Sequence, residues 1–525
     1  QGGSIKMFGK NVDPDGELLA AGLEQGGSLK IITSSVRITD GEQQPQIGEL
    51  VVTPDLFNQG GFSSYSLESK LGGITVEAGT EIDLVAQNLR LDSGYALQQS
   101  GDNIESFSTL TTLPEWQRGP TSISLTVATG DLITAENGNK ELYALDIGQG
   151  TKIATENGGT ISLSSNQNMF MDGTLESHGG EITLTLSDDR VLSAYEKLGY
   201  IASQGIWLGE SAQIDVSATA VTTPNDFGLR SGKLFDAGSI TIDAQQGYVI
   251  AQQGSNLDVS GTSAVFDANG IRADGTIGLT EQQVAADAGS VTIKSAEGVI
   301  FNGTMQAHAA DVIGARGGIL TVINNAQIKE TALADNRNMP NKLVDHLANP
   351  GIIHLHNNDF TVVYASGTPI SDEMNGVAHI NSSMIEDGGF DSLNLVTTNI
   401  YEQNFHSEIG KVVIDDGVNL HLRDSLKINT TDLVINGDVE LGGTYTAIGR
   451  FSSPELRVDL FETYTGSLFS GNGSLSVRSD HIDLLGEFQI SGAEQVNLNS
   501  SGDIRLNGST FVSGTSADFD SFVGE

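Results

Sequence analysis

The sequence predicts an all-β chain built as a parallel β-helix, and three observations carry that prediction. The first is a repeated phrase. AGSITIDAQQGYVIAQQGSNLDVSG (residues 237–261) is echoed by AGSVTIKSAEGVIFNGTMQAHA (residues 288–309). The second is period-2 alternation inside each phrase, with Ile240 and Ile242 set between Ser239, Thr241 and Asp243. Alternation of that kind marks strands with one buried face. The third is punctuation: Gly247 and Gly254 divide the first phrase into three short words, and glycine permits the tight backbone of a corner. Three short strands per ~20–25 residues, repeated, are the pattern of a β-solenoid whose coils stack to close a shared core.

Composition agrees. The chain has 525 residues, beyond the ~250–300 that one compact core usually serves, so growth in one dimension is expected. There are 64 Gly, 10 Pro and no Cys, with 38% hydrophobic residues, too many for a disordered chain. Absence of cysteine excludes disulfides, thiolate metal sites and cysteine nucleophiles. The net charge of −41 argues against nucleic acid and anionic lipid as partners, and favours solubility and a loose affinity for cations. The opening QGGSIKMFG has no initiator Met and no secretory signal, and no apolar run approaches ~20 residues. The chain is therefore expected to be a soluble piece of a larger polypeptide.

Coil openings recur in order. They are GGSIKMFG at Gly2, GGSLKIITSSVRI at Gly26, GGITVEAGTEIDL at Gly72, GGTISLS at Gly158, GGEITLTLS at Gly179 and GGILTVI at Gly317. Looser copies follow, including HLHNNDFTVVYA, KVVIDDGVNLHLRDSLKI and GSLSVRS. The organisation read from them is coils over 1–88, an insertion over 89–120, and coils over 121–330 with insertions at 187–206 and 264–287. A further insertion spans 331–350, and coils resume over 351–525. The insertions at 187–206, 264–287 and 331–350 are expected to contain short helices, with Thr280 beginning one and Pro350 stopping another. At roughly 22 residues per coil this amounts to about 18 coils and a rod of roughly 90 Å. Ile240, Ile242, Leu257, Val259, Val291, Ile293, Ile182, Leu184 and Val412 should point inward. The triplet Tyr248-Val249-Ile250 is apolar in both directions, so a covering element is expected over it, with the 264–287 excursion as the candidate.

Two stretches fit the repeat least, DLFNQGGFSSYSLES (55–69) and LTTLPEWQRGPTSISLTVATGD (110–131). Gln59, Gly60, Gly61, Phe62, Ser63 and Ser64, followed by Thr112, Leu113, Pro114, Arg118, Pro120, Thr121 and Ser122, resemble a region of the filamentous-haemagglutinin-like exoproteins of Gram-negative bacteria. Gly119, between Arg118 and Pro120, departs from that pattern. The specific likeness covers about residues 50–150. It implies a right-handed helix, in line with the crossover preference of parallel strands. It also implies two-partner secretion through an outer-membrane transporter, and location outside the cell, on the bacterial surface. The family's secretion domain with its Asn-Pro-Asn-Gly turn is absent from these residues.

Sites of chemistry are sparse. NVDPDGEL (11–18) has Asn11, Asp13 and Asp15 at calcium-loop spacing, with Gly16 at the turn, but Gly22 stands where the closing Glu belongs. It is read as a solvated turn, with weakly bound calcium as the alternative. HLHNND places His354 and His356 on one face of a strand, a two-ligand start for zinc without an identifiable third. Outward strand histidines are the adopted reading. Asp188-Asp189 and Asp415-Asp416 are acidic pairs of the kind polysaccharide hydrolases use, but the basic company such sites need is missing. Asn-x-Ser/Thr triplets fall at Asn302, Asn381, Asn429, Asn472, Asn499 and Asn507 and by themselves do not establish glycosylation. No catalytic, cofactor-binding or metal-ligating residue is assigned, and the chain is not expected to be an enzyme.

The expected function is structural: a rigid adhesive shaft or filament segment acting in adhesion or biofilm assembly. Its partners would be a host, matrix or neighbouring-cell surface, and its own copies stacked end to end. The alternatives are the shaft of a contact-dependent toxin-delivery exoprotein and a polysaccharide-degrading β-helical enzyme.

Overall fold

A computed structural model describes residues 2–523 apart from 15, 42–44, 130–132, 135–139, 188–200, 273–274, 325–326, 331–345, 350, 359, 398–409, 451–470, 487 and 511–519. The fold is a parallel β-helix. Each regular coil contributes one strand to each of three parallel faces. The coil at the centre of the chain shows the plan: Ser239–Ala244, then Tyr248–Ala251, then Asn256–Asp258. The next coil repeats it with Ser290–Ser295, Gly298–Phe301 and Thr304–Gln306, and the pairing is in register, with Ile240 opposite Val291 and Leu257 opposite Met305.

Register is what makes the core continuous. On the first face one column, buried from Leu29 to Ile482 and open at its two ends, runs Ile5, Leu29, Tyr65, Ile123, Ile161, Ile182, Ile240, Val291, Leu320, Leu393, Leu426, Thr446, Ile482, Ile504. Shifting any strand by one residue would send its apolar set outward, so burial fixes register at every level. The column has fourteen levels. At about 4.8 Å per level it runs roughly 60 Å, shorter than the sequence suggested, because excursions consume more chain than the repeat count allowed. The nine residues expected inside are all fully buried.

Corners obey a second rule. In the central coils the glycine that opens the first-face strand is stacked against its counterpart one coil away. A Cβ on Gly238 would lie 1.8 Å from the Gly180 carbonyl oxygen, and one on Gly289 would lie 1.9 Å from that of Gly238. Those carbonyls accept hydrogen bonds from Ser239 and Ser290 at 3.0 and 3.1 Å. Close approach of backbone to backbone, more than a special φ, is the reason for the Ala-Gly-Ser opening. At the far end of the strand a small polar residue closes the corner: Ser295 Oγ donates to the Gly298 carbonyl at 2.7 Å and accepts from its N–H at 2.8 Å.

Excursions leave between coils, and they are mostly hairpins. Residues Thr262–Ile271 and Ile277–Ala286 form a ten-rung antiparallel ladder, so the helix expected from Thr280 is not there. The segment TEQQVAAD has good helix propensity, but pairing with the preceding strand outweighs it. A second hairpin, Thr219–Thr223 with Ser231–Phe235, projects beside it, and Arg230 joins the two through Asp267 at 2.8 Å. The 89–120 stretch begins inside a third hairpin, Gln87–Leu91 with Ser108–Thr112, spanned by 3-10 turns. Most of the 187–206 insertion lies outside the described residues, and so does most of 331–350. Of the latter, His346–Asn349 pairs antiparallel with Gln327–Glu330. Among the described residues the one α-helix is the short Ser382–Glu386.

The QGGFSS run is structural. Gly60 and Gly61 have φ of +72° and +68°, and a Cβ on Gly60 would lie 1.8 Å from the Leu18 carbonyl oxygen. Phe62 and Phe57 pack at 5.8 and 5.2 Å from the Tyr65 ring, filling the core early in the chain. Burial pushes the Tyr65 hydroxyl's pKa up, away from ionisation.

Candidate functional site

The outer side of the second face carries an unusual layer. Tyr248 and Ile250, with Trp207 and Ile300 from neighbouring coils, form an apolar cluster outside the main core. The cover expected for Tyr248-Val249-Ile250 exists, but it is not the 264–287 hairpin. It is the segment that follows His356, which lays Phe360, Tyr364, Ile370 and Met374 over the cluster. Gln252 Nε2 and Asn302 Nδ2 pin that segment through the carbonyls of Tyr364 and Val362, at 2.9 and 2.8 Å.

This cover also changes the stacking order. Strand Val377–Asn381 returns beneath Ile352–His356 and sits between it and Gly298–Phe301. Ile352–His356 then carries Lys411–Ile414 on its other side. A strand later in the chain thus lies earlier in the stack. The consequence is that His354 stands directly opposite His379, with Ile353 opposite Ala378 and Leu355 opposite Ile380. The apolar residues point in and the histidines point out.

Four polar side chains converge there. His354 Nε2 lies 2.7 Å from Asp415 Oδ1, and His356 Nδ1 lies 2.8 Å from Asp415 Oδ2. His356 Nε2 faces His379 Nδ1 at 2.9 Å. Those two imidazoles are nearly coplanar, 15° apart, while the Phe360 ring lies over both, at 4.6 Å from His356 and 4.1 Å from His379. The Phe360 backbone is gripped by Asn381, which accepts from its N–H at 3.3 Å and donates to its carbonyl at 3.0 Å. Asn358, at φ +62°, turns the chain into this cover, and its side chain accepts from the Ser383 N–H at 2.6 Å.

Burial and charge set the electrostatics. His379 is 7% exposed. Burial drives its pKa down to about 3, the neighbouring His356 and His354 add to the effect, and Asp415 opposes it, so the ring is neutral. Burial works against ionisation of Asp415, but hydrogen bonds from His354, Asn436 and His356 outweigh it and hold the carboxyl below its ordinary range. The ionised carboxylate can only accept, so His356 donates to it from Nδ1 and His354 from Nε2. Within the ring pair, one of the two facing nitrogens donates to the other. His379 Nε2 is left buried without a hydrogen-bond partner.

The other sequence candidates are dispersed. Asp188 and Asp189 lie outside the described residues, as does Asp15 of the NVDPDGEL turn, whose Asn11 and Asp13 are exposed. Asp416 Oδ1 accepts from the Asp438 N–H at 2.6 Å. Asn302 and Asn381 spend their side-chain amides on the covering segment. His379 was missed by sequence reading. Its signal was local and weak, an outward position in VAHIN beside inward Ala378 and Ile380, and only the inverted stacking order brings it to His354. No protein-family model, curated protein or solved structure matches the chain.

Proposed function

We propose that this chain is the rigid shaft, or a filament segment, of a large surface-exposed exoprotein acting in adhesion or surface assembly. The observation that carries the reading is the in-register column from Ile5 to Ile504, a single core extended along one axis by stacking. Such a body resists bending, because every coil is paired to its neighbours by backbone hydrogen bonds on several faces at once. The charge of −41 supports a role in water, where like-charged rods resist lateral clumping. The likeness of the 59–64 and 112–122 residues to filamentous-haemagglutinin-like exoproteins supports secretion through a partner transporter and a place on the bacterial surface. Hydrolysis of polysaccharide is disfavoured as a reading, since Asp415 and Asp416 are engaged with separate partners.

Small-angle scattering on the 525-residue chain tests the mechanical part. The expected result is a rod of constant cross-section with pair distances extending beyond roughly 60 Å. Beads coated with the chain should then adhere to a cell or matrix surface more than uncoated beads do. A globular scattering profile, or no gain in adherence over a bare bead, would overturn the proposal.

A further inference from the structure

We infer that His354, His356 and His379 form a binding site for one divalent transition-metal ion of the zinc class, with Asp415 orienting the imidazoles. One ring nitrogen from each histidine lies within 4.8 Å of the other two. Three imidazoles suit zinc, copper, nickel or iron, whereas calcium and magnesium require oxygen ligands.

The hydrogen-bond pattern is that of a ligand set whose orientation is already imposed. Asp415 holds a proton of His356 on Nδ1, which leaves Nε2 as the atom facing His379. Carboxylate-held histidines of this kind are the usual outer support of metal ligands, because the hydrogen bond fixes the tautomer and raises ligand basicity. Near-coplanarity of His356 and His379 matters equally, since an imidazole binds a metal in its own plane. Their facing nitrogens are 2.9 Å apart. Around a tetrahedral ion with bonds of about 2.0–2.1 Å, ligand nitrogens sit roughly 3.3 Å apart. Opening the pair and turning both rings so that their lone pairs converge on one point, with any proton on a ligating nitrogen shifting to the ring's other nitrogen or leaving to solvent, replaces that hydrogen bond with two metal bonds. His354, its ring centroid 3.9 Å from that of His356 and its plane tilted by 33°, supplies the third nitrogen.

One further observation separates this from a cluster of structural histidines. The site is assembled by breaking the regular coil order, with Phe360 laid flat over the ring pair to exclude water. A dry pocket strengthens the interaction between an ion and its ligands.

The test is calorimetric titration of the chelator-treated 525-residue chain with zinc chloride at neutral pH, in millimolar calcium to saturate the acidic surface. One zinc should bind per chain at micromolar or lower concentration, indifferent to calcium. Cobalt substituted for zinc should give the intense visible absorption of a low-symmetry, nitrogen-ligated site. His356→Ala and His379→Ala should each weaken binding at least about 100-fold, and Asp415→Asn should weaken it about 10–100-fold, as loss of an orienting partner does. His421→Ala, outside the cluster, should leave it unchanged. Absence of zinc uptake, displacement by calcium, or uptake that survives His379→Ala at full stoichiometry would overturn the inference. Should an alanine variant fail to fold, the cobalt spectrum of the unaltered chain decides alone: an octahedral, water-like spectrum rejects the site.

Discussion

At the scale of single residues, burial depth and backbone approach decide what the chain tolerates. Ile242 is fully buried between Leu184 and Ile293 in adjacent coils. Ile242→Asp places a carboxylate in that column with no partner, at a cost of several kcal/mol. Chemical denaturation should show a midpoint far below that of the parent chain, and an unchanged midpoint would mean the register is wrong. Gly289 makes a different point. Gly289→Ala drives a methyl into the Gly238 carbonyl, whereas Gly3→Ala meets nothing within 4 Å. The first should lower the melting temperature sharply and the second should leave it nearly unchanged, because overpacking against backbone cannot be relieved by a side-chain rotation. Glu156 adds a pH-dependent case. Burial is the main force raising its pKa above the ordinary 4.5, opposed by the Ala86 N–H and by Arg118, with Asp83 and Glu115 adding to the rise. The folded state therefore holds this proton more tightly than the unfolded state, and stability is lost as pH rises through the raised value. Glu156→Gln should be more stable than the parent at pH 7, and the difference should vanish near pH 4. A constant difference across that range would reject the assignment.

At the scale of elements, the excursions differ in what they cover, and deletion should distinguish them. The Thr262–Ile271 and Ile277–Ala286 hairpin leaves and re-enters the coil at nearly the same place, and Val265, Ile271, Ile277 and Leu279 on it are exposed. Replacing it by a short turn should leave the melting temperature close to that of the parent. The segment after His356 is another matter, because it shields Trp207, which is 1% exposed. Phe360→Ala combined with Ile370→Asp should shift Trp207 emission to the red and admit acrylamide, read in a Trp116→Phe background, since Trp116 is the second of two tryptophans. Unaltered quenching would show that this segment is not the cover. These elements also mark where sequence reading succeeded and failed. Alternation around Ile240, Ile242, Val291 and Ile293 exposed the coils, since period 2 is local and burial enforces it. The 264–287 hairpin was misread as partly helical because TEQQVAAD carries helix propensity while its partner strand lies on the far side of a turn. The histidine site was half legible. HLH showed two outward rings, but nothing local encodes that strand Val377–Asn381 slips beneath Ile352–His356, and the third ring arrives only through that inversion.

At the scale of the whole molecule, charge and geometry oppose each other. The chain carries 67 acidic and 26 basic residues, so even complete pairing of the basic ones would leave most carboxylates without a cation. Observed pairs are local, such as Lys294 with Asp243 on the next coil at 3.3 Å and Arg37 with Glu49 at 2.9 Å. Stacking coils at about 4.8 Å holds the excess carboxylates closer together than they are in the expanded unfolded chain. Their mutual repulsion is a cost of folding, and it reaches about 10 Å at 0.1 M salt but about 30 Å at 0.01 M. Added salt should therefore stabilise the fold by shortening that reach, even though it weakens the surface ion pairs, each worth at most about 1 kcal/mol. Thermal melts monitored by circular dichroism, in sodium chloride from low to physiological concentration and without divalent ions, should show the midpoint rising steadily. Sodium perchlorate and sodium chloride should act alike at the low end if screening is the cause. A midpoint that falls as salt is added would mean that the ion pairs, and not the repulsion among unpaired carboxylates, dominate the surface of the rod.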